Sequence, residues 1–232
     1  MPSHFYEIRI CESCGLRYPL LEGHTFGMRC PACMGITRVV FRRRLFNAPD
    51  YDRQRETPKN VRTAIKKVDN QEERHENLTV LLDNIRSAWN VGSILRSADG
   101  FGFTHAYLCG ITPTADNEAV TKTSLGAEDS VPWSYHKDAV KLVKRLKKEG
   151  WKAYALEENA QAIDISHAAG VARQFGHEVL IVGNEVTGVD PELLDLCDRI
   201  FYIPMHGEKK SFNVAIAFGI AAYAFSTRQL ES

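Results

Sequence analysis

From Asn77 onward, short apolar runs alternate with runs of helical periodicity, and no other feature of the sequence constrains the fold as strongly. The strand-like runs are LTVLLD, HAYLCG, WKAYALE, EVLIVG and RIFYIP, and each is apolar along most of its length rather than at every second residue. Continuously apolar strands are buried on both faces, and strands that alternate with helices connect as parallel neighbours. The sequence therefore predicts an α/β fold with a mainly parallel sheet and helices on both faces.

Four helical segments complete this pattern. The first follows the first strand-like run and is NVGSILRSADGFG. The second, HKDAVKLVKRLKKEG, ends at a glycine of the kind found just beyond a helix. The third is the short PELLDLC, and the last is FNVAIAFGIAAYAFSTRQL near the end of the chain. The closing helix is rich in small residues, which core packing explains without a catalytic role.

Four of the six cysteines lie near the beginning of the chain as two C-x-x-C pairs. Cys11 and Cys14 form the first pair, and Cys30 and Cys33 follow after fifteen intervening residues. Two such pairs can converge on one tetrahedral Zn²⁺. Because residues 1–45 are too few to be held by hydrophobic burial alone, we predict a structural four-cysteine zinc ribbon. A redox pair or unligated thiols are the alternatives.

A basic segment follows this module. Residues 38–67 contain ten basic residues against three acidic ones, although the whole chain has 29 of each and no net charge. We interpret 46–76 as a basic linker and an amphipathic helix, which starts at Thr57 and Pro58 and ends near Asn70. Segregated basic charge is typical of a nucleic-acid contact. A solvated linker that is basic by chance is the alternative.

Several common functional motifs are absent from the sequence. It contains no G-x-G-x-x-G after the first strand, no G-x-x-x-x-G-K-[ST], no H-E-x-x-H and no G-x-S-x-G, which excludes the ordinary dinucleotide, phosphate-loop and hydrolase motifs. No apolar run reaches the roughly 18 residues of a membrane span. The N-terminal residues do not read as a secretory signal, so we expect a cytoplasmic protein with no membrane partner.

Polar residues collect instead at three strand-to-helix junctions, within 84–96, 183–187 and 205–213. In a parallel sheet these junctions lie at the carboxyl ends of the strands, where ligands bind. Glu185 is the least expected of them, because it follows an apolar strand after only two intervening residues. A carboxylate there either meets solvent or belongs to a site.

Three segments, in chain order, carry a family resemblance. LLDNIRSAWNVGSILRSADGFG, IVGNEVTGVD and IPMHGEKKSFNVAIAFGIAAYA resemble the three motifs of the SpoU/TrmH branch of the SPOUT methyltransferases. The resemblance covers residues 77–232, and KTSLGAEDSVPW fits it too. It implies a C-terminal trefoil knot, a homodimer, and S-adenosylmethionine-dependent methylation of the 2′-hydroxyl of a ribose in tRNA or rRNA.

The resemblance also assigns site residues by position. The catalytic positions that it implies are Arg96, Asn90, Glu185, Ser211 and Asn213. It gives the proton-accepting role to Arg96, but a guanidinium with a pKa above ~12 is better suited to hold a phosphate and to stabilise an alkoxide. Because Arg96 has small and apolar sequence neighbours, we also expect its charge to need a partner. Asn90 would orient this arginine or the substrate.

The cofactor pocket implied by the resemblance is built from the same loops. Its candidate residues are Gly183, Asn184, Ile203, Met205, Phe212 and Leu156. We expect Gly183 to be a point where the backbone approaches the cofactor closely. Phe212 stands where the family usually has leucine, so we expect a pocket of different shape that still binds the cofactor.

Each residue alone also has a structural explanation. Asn90, Ser211 and Asn213 could be helix N-caps, and Gly183 could be a strand-ending turn. As an ordered set they favour the enzyme. Alternatives are a non-catalytic RNA-binding or ribosome-assembly factor that keeps the fold, and a zinc module joined to an unrelated sheet domain. We expect loss of the cysteine module to weaken RNA binding and to leave cofactor binding nearly intact.

Overall fold

A computed structural model describes residues 5–22, 24, 28–44, 78–168, 176–209 and 211–226. The predicted basic linker and amphipathic helix at 46–76 lie outside these residues. The described residues form two sheets, an antiparallel one of three strands and a parallel one of seven. The predicted domain boundaries and the trefoil knot stay predictions.

The N-terminal cysteine module is built on the smaller sheet. Its strands are β1 (Phe5–Cys11), β2 (Arg17–Leu21) and β3 (Thr37–Arg44), in the order β2-β1-β3. The module has a small core made of Cys11, Leu16, Tyr18 and Cys30, and Ile111 from the larger domain packs against it. The module therefore shares an apolar contact with the rest of the protein.

The larger sheet confirms the predicted α/β architecture. Its strands are β4 (Leu78–Asp83), β5 (His105–Cys109), β6 (Trp133–His136), β7 (Lys152–Leu156), β8 (Ile163–Asp164), β9 (Glu178–Val182) and β10 (Arg199–Tyr202). They are ordered β6-β5-β4-β9-β7-β10-β8, and every neighbouring pair is parallel. The carboxyl ends of all seven strands thus lie at one edge of the sheet.

Helices cover both faces of this sheet, as predicted. They are α1 (Ala88–Gly100), α2 (Glu118–Ser124), α3 (Ala127–Ser130), α4 (Ala139–Lys148), α5 (Pro191–Leu196) and α6 (Val214–Ser226), with a 3₁₀ turn at Ile165–His167. Residues of α1, α2, α3 and α6 share one buried core, and those of α4 and α5 share the other. None of the described helices is long and apolar enough to cross a bilayer.

Local signals explain where the helices that flank the candidate site begin. The side chain of Ser87 accepts a hydrogen bond from the Asn90 amide at 3.4 Å and caps α1. Gly92 lets α2 approach α1, because a Cβ there would lie 2.5 Å from the Val120 carbonyl oxygen. The sequence predicted α1, α4, α5 and α6, but α2, α3, β6 and β8 are too short to show a period.

Candidate active site

The ends of three neighbouring strands bring the predicted pocket residues together. Leu156, the last residue of β7, is paired in register with Val182 of β9 on one side and with Phe201 of β10 on the other. Gly183 follows Val182 directly, and Ile203 lies two residues beyond Phe201. Three pocket positions that are distant in sequence therefore meet at the carboxyl edge of the sheet.

Glu185 does not simply meet solvent. One carboxylate oxygen accepts a hydrogen bond from the Arg86 amide at 2.9 Å, and the other accepts from the Ser87 amide at 3.1 Å. The second oxygen also accepts from the Asn90 side-chain nitrogen at 2.8 Å. The loop after β9 is thereby fastened to the segment that starts α1.

Asn90 continues the connection to the third motif. Its side-chain oxygen accepts a hydrogen bond from the Asn213 side-chain nitrogen at 3.1 Å. The oxygen of Asn213 in turn accepts from the Ala215 amide at 2.9 Å, in the first turn of α6. We call Glu185, Asn90 and Asn213 the amide relay. It links the three motifs that the sequence grouped together, with one residue from each.

The electrostatics of the relay favour an ionised Glu185. Burial acts to raise the pKa of its carboxyl, but the hydrogen bonds from the Arg86 amide and the Asn90 side chain outweigh burial and hold the pKa below its ordinary value. A hydrogen bond to an ionised acceptor is stronger than one between neutral groups. The relay thus ends on a fixed negative charge beside the N-terminal end of α1.

The capping alternatives are partly correct. Ser87, not Asn90, caps α1, whereas Asn213 does cap α6 and also donates to Asn90. Ser211 lies exposed in the loop before α6, and no side-chain hydrogen bond joins it to another described residue. Asn213 therefore has a structural role and a place in the relay, while the Ser211 hydroxyl is left for other partners.

Arg96 is exposed to solvent. Its side chain is exposed on α1, although its sequence neighbours Ile94, Leu95 and Ala98 are buried. Within the described part of the chain it forms no ion pair, and no hydrogen bond joins it to Asn90 or Glu185. No partner for this charge is found among the described residues, because the helix turns this position away from the core. The charge is available to a ligand.

Gly183 lies where the loop backbone closes on the protein's own chain, and its close approach to a cofactor stays a prediction. A Cβ at this position would lie 2.2 Å from the Val189 nitrogen and 2.3 Å from the Gly188 carbonyl carbon. Gly188 has a φ of +71°, which also favours glycine. The loop after β9 therefore closes tightly on itself, and glycine at 183 permits this closure.

Asn184 is committed to the same loop. Its side-chain oxygen accepts hydrogen bonds from the amides of Val186 and Thr187, at 2.9 Å and 3.1 Å. Its side-chain nitrogen donates to the Asn84 carbonyl at 2.7 Å. The Asn184 side chain therefore holds the loop in place.

The remaining pocket candidates offer apolar surface. Leu156 and Ile203 are half-buried and pack against the core on the α1 side, and Met205 is half-buried in the following loop. Phe212 is exposed beside the relay residue Asn213. Half-buried apolar side chains next to loop backbone offer a surface on which a flat aromatic ring could pack.

The sequence reading missed a buried polar cluster beneath the loop. Arg17, Asp83, Asn84 and Asp190 are all buried, and Asp83 accepts a hydrogen bond from the Asp190 amide at 3.0 Å. Burial, and next the charge of Asp190, raise the pKa of Asp83 to about 7. Burial also raises the pKa of Glu157, which accepts from the loop at Val189. The sequence did carry one signal for this cluster, because the apolar runs LTVLLD and WKAYALE end at the acidic residues Asp83 and Glu157.

The four predicted metal ligands do come together. The sulfur atoms of Cys11, Cys14, Cys30 and Cys33 all lie within 4.8 Å of one another, with 3.5 Å between Cys11 and Cys33 and 3.7 Å between Cys14 and Cys30. Tetrahedral Zn–S bonds of about 2.3 Å would place sulfurs about 3.8 Å apart. The cluster therefore fits one zinc ion with four thiolate ligands.

Comparison with known proteins gives this arrangement a family. Residues 77–223 match the SpoU rRNA Methylase family. The chain belongs to this family. The matched residues include all three members of the amide relay and leave out the cysteine module.

Named relatives agree with this assignment. The chain is 33% identical over 146 residues to the 23S rRNA (guanosine(2553)-2'-O)-methyltransferase RlmP of Bacillus subtilis, a match that spans 62% of this chain and 56% of that protein. It is 30% identical over 162 residues to the tRNA (guanosine(18)-2'-O)-methyltransferase of Thermus thermophilus, spanning 68% and 79%. The chain thus spans little more than half the length of the first of these relatives.

A solved structure supports the fold. The AdoMet-bound rRNA methyltransferase from Sinorhizobium meliloti superimposes with a TM-score of 0.60 at 26% identity, covering 68% of this chain and 58% of that one. The seven-stranded parallel sheet and its helices therefore have a counterpart that binds the cofactor named above.

The lowered pKa of Glu185 predicts how stability depends on pH. A carboxyl with a depressed folded-state pKa stabilises the protein above its unfolded pKa of about 4.3 and loses that contribution as pH falls through the folded value. The urea midpoint of the parent should therefore be higher than that of Glu185→Gln. This difference should be largest at neutral pH and should shrink as the solution becomes acidic. Glu118→Gln controls for loss of one exposed carboxylate. A difference that does not change with pH would contradict the prediction.

Proposed function

We propose that this protein is an S-adenosylmethionine-dependent RNA methyltransferase that acts on the 2′-hydroxyl of a ribose in tRNA or rRNA. The amide relay is the observation that carries the proposal, because it fastens the three motif loops to one another at the carboxyl edge of the sheet. Family membership and the two guanosine 2'-O-methyltransferases among its relatives support the same reaction.

The reaction requires a ribose hydroxyl held in line with the methyl group and an RNA backbone that does not move. Bound S-adenosylmethionine supplies an electrophilic sulfonium methyl. Arg96 is an exposed cation on α1 without an internal ion-pair partner in the described part of the chain, which supports a role in holding an RNA phosphate. A guanidinium so placed also stabilises the negative charge that develops on the attacking oxygen.

The role that we propose for the relay residues is to hold the three motif loops in place. Both polar atoms of the Asn90 side chain are already engaged, with Glu185 and with Asn213. Asn90 therefore fixes the start of α1 relative to the other loops. The Ser211 hydroxyl is exposed in the loop before α6, so it is one of the motif-three groups that can reach RNA.

The cofactor site that we propose lies beside the relay. Leu156, Ile203 and Met205 would contact the adenosyl group, with backbone of Gly183 and Asn184 at the edge of the pocket. Phe212 would give the pocket a broader apolar wall than the leucine usual in the family. Each residue lies at the carboxyl end of β7, β9 or β10 or in the loops that follow.

The cysteine module supports a structural zinc site. Four thiolates fill a tetrahedral coordination sphere, so the ion would have no open position for catalysis. None of the four cysteines takes part in a disulfide, so each can give a thiolate to zinc, and thiols kept in this form would suit a reducing, cytoplasmic environment. We propose that the module folds around zinc and contacts RNA through its phosphates, which position without specifying sequence.

A homodimer completes the proposal. Trp89, Ile216 and Tyr223 are exposed by 64%, 56% and 61%, on the adjacent helices α1 and α6. Large apolar side chains grouped on neighbouring helices mark an interaction surface. A second copy of the chain would cover them about a two-fold axis, beside the relay and Arg96.

Replacement of Arg96 tests the reaction. The parent should transfer labelled methyl from S-adenosylmethionine to the 2′-O position of nucleosides in bulk tRNA or rRNA. Arg96→Ala should lower that rate roughly 100-fold or more, in the range seen when one charge-stabilising donor is removed. Its dissociation constant for S-adenosylmethionine, measured by calorimetry, should change less than about threefold, because Arg96 is outside the proposed pocket.

Arg145→Ala, an exposed arginine on α4 at the opposite face of the sheet, is the matched control and should keep the parental rate. Normal turnover by Arg96→Ala would remove Arg96 from the mechanism. A parent that labels no RNA would overturn the enzymatic proposal. If that parent also fails to bind S-adenosylmethionine, a non-catalytic RNA-binding factor would be the better description.

Substitution of Ile216 tests the dimer. Ile216→Glu places a charge in the proposed apolar interface, so sedimentation velocity should shift from two chains per particle to one. Val39→Glu, at an exposed apolar position of the cysteine module, should stay dimeric. A monomeric parent, or a dimer that Ile216→Glu leaves intact, would contradict the proposed interface.

A further inference from the structure

The cysteine module reaches into the methyltransferase domain through Arg17, the first residue of β2. Arg17 is 5% exposed and forms a two-pronged salt bridge with Asp190, which is 3% exposed. The distances are 2.6 Å from Nε to Oδ2 and 3.1 Å from the terminal nitrogen to Oδ1. The Arg17 amide also donates to the Lys137 carbonyl at 3.0 Å. A buried, bidentate pair fixes both partners in one geometry.

Asp190 ends the loop after β9, and a second buried carboxylate lies beside it. The Asp190 amide donates to Asp83, while the Asp190 side chain accepts from the Glu192 amide and caps α5. Arg17 is the one cation paired with Asp190 among the described residues. Removing it would leave a buried negative charge next to Asp83 without a counter-charge, which is strongly unfavourable.

Every amide from 186 to 190 has an acceptor. Those of Val186 and Thr187 donate to the Asn184 side chain, and that of Gly188 donates to the Asn184 carbonyl. The amide at 189 donates to Glu157, and the amide at 190 donates to Asp83. The segment is therefore a closed loop, and its geometry depends on how its last residue is held.

The same loop carries the groups on which the site depends. It begins at Gly183 beside the proposed cofactor pocket, and it places Glu185 in the amide relay. Arg17 itself is held close to the cysteine cluster, because the Leu16 carbonyl accepts from the Cys11 amide at 2.9 Å. A continuous set of contacts thus runs from the metal ligands to the loop.

We propose that Arg17 is a positioning residue for methyl transfer: the cysteine module supplies the counter-charge that holds Asp190, and through it the loop from 183 to 190, in the geometry that binds the cofactor. The proposal rests on the proposed function for the identity of that cofactor. It replaces the expectation that the module can be lost without affecting cofactor binding. The module is an integral part of the site as well as a candidate RNA contact.

Arg17→Met tests this role, with Arg9→Met as its matched control. Arg9 is also a buried arginine of the module, but it bonds to Glu7 and Thr37 within the module and not to the larger domain. Hydrogen exchange of the amides at 186–190 in the cofactor-free full chain should quicken at least tenfold in Arg17→Met and less than threefold in Arg9→Met. The dissociation constant for S-adenosylmethionine should rise at least tenfold in Arg17→Met alone.

The double variant Arg17→Met with Asp190→Asn distinguishes loss of the counter-charge from simple misfolding. It removes the Asp190 charge together with its counter-charge, so its loop exchange should lie closer to the parent than that of Arg17→Met. Parental exchange in Arg17→Met would overturn the proposal. So would equal quickening in Arg17→Met and Arg9→Met, since that pattern belongs to general loss of the module. A parent that binds no S-adenosylmethionine while Arg17→Met still loosens the loop would instead overturn the proposed function alone.

Discussion

The hydrogen bond from the Asn90 side chain to Glu185 is the interaction on which the rest of the site depends. It joins segments 95 residues apart, and the bond from Asn213 to Asn90 adds a segment 123 residues away. The two side-chain amides in this series of hydrogen bonds are polarised, because the series ends at an ionised carboxylate on one side and at the first turn of α6 on the other. Three loops that leave three different elements are thus held in one arrangement, and Arg96 and Ser211 are left exposed around it.

The loop that carries Glu185 is constrained from both of its ends. At its start, Gly183 allows the backbone to close on Gly188 and Val189, and at its end Asp190 is paired with Arg17. A buried ion pair is weak evidence for stability but good evidence for a fixed geometry, because neither partner can move without leaving a charge uncompensated. Arg17 of the cysteine module therefore helps to fix the geometry of this loop.

Much of this arrangement could be predicted from the sequence, and the exceptions have physical causes. Continuous apolar runs predicted the parallel sheet, and ordered motifs grouped Asn90, Glu185 and Asn213 before any contact was known. The sequence could not show that Arg96 is exposed, because its neighbours are apolar and only the turn of the helix separates the two faces. Nor could it pair Arg17 with Asp190, since a contact across 173 residues leaves no local pattern.

A double-mutant cycle between Asn90 and Asn213 tests the central claim that the three motifs form one site through the relay. The rate of methyl transfer from S-adenosylmethionine to RNA would be measured for Asn90→Ala, Asn213→Ala, the double variant and the parent. Because both substitutions break the same chain of hydrogen bonds, the account predicts that the double variant is slower than the slower single variant by no more than about threefold. Losses that multiply would contradict the account, because they would mean that the two residues act independently.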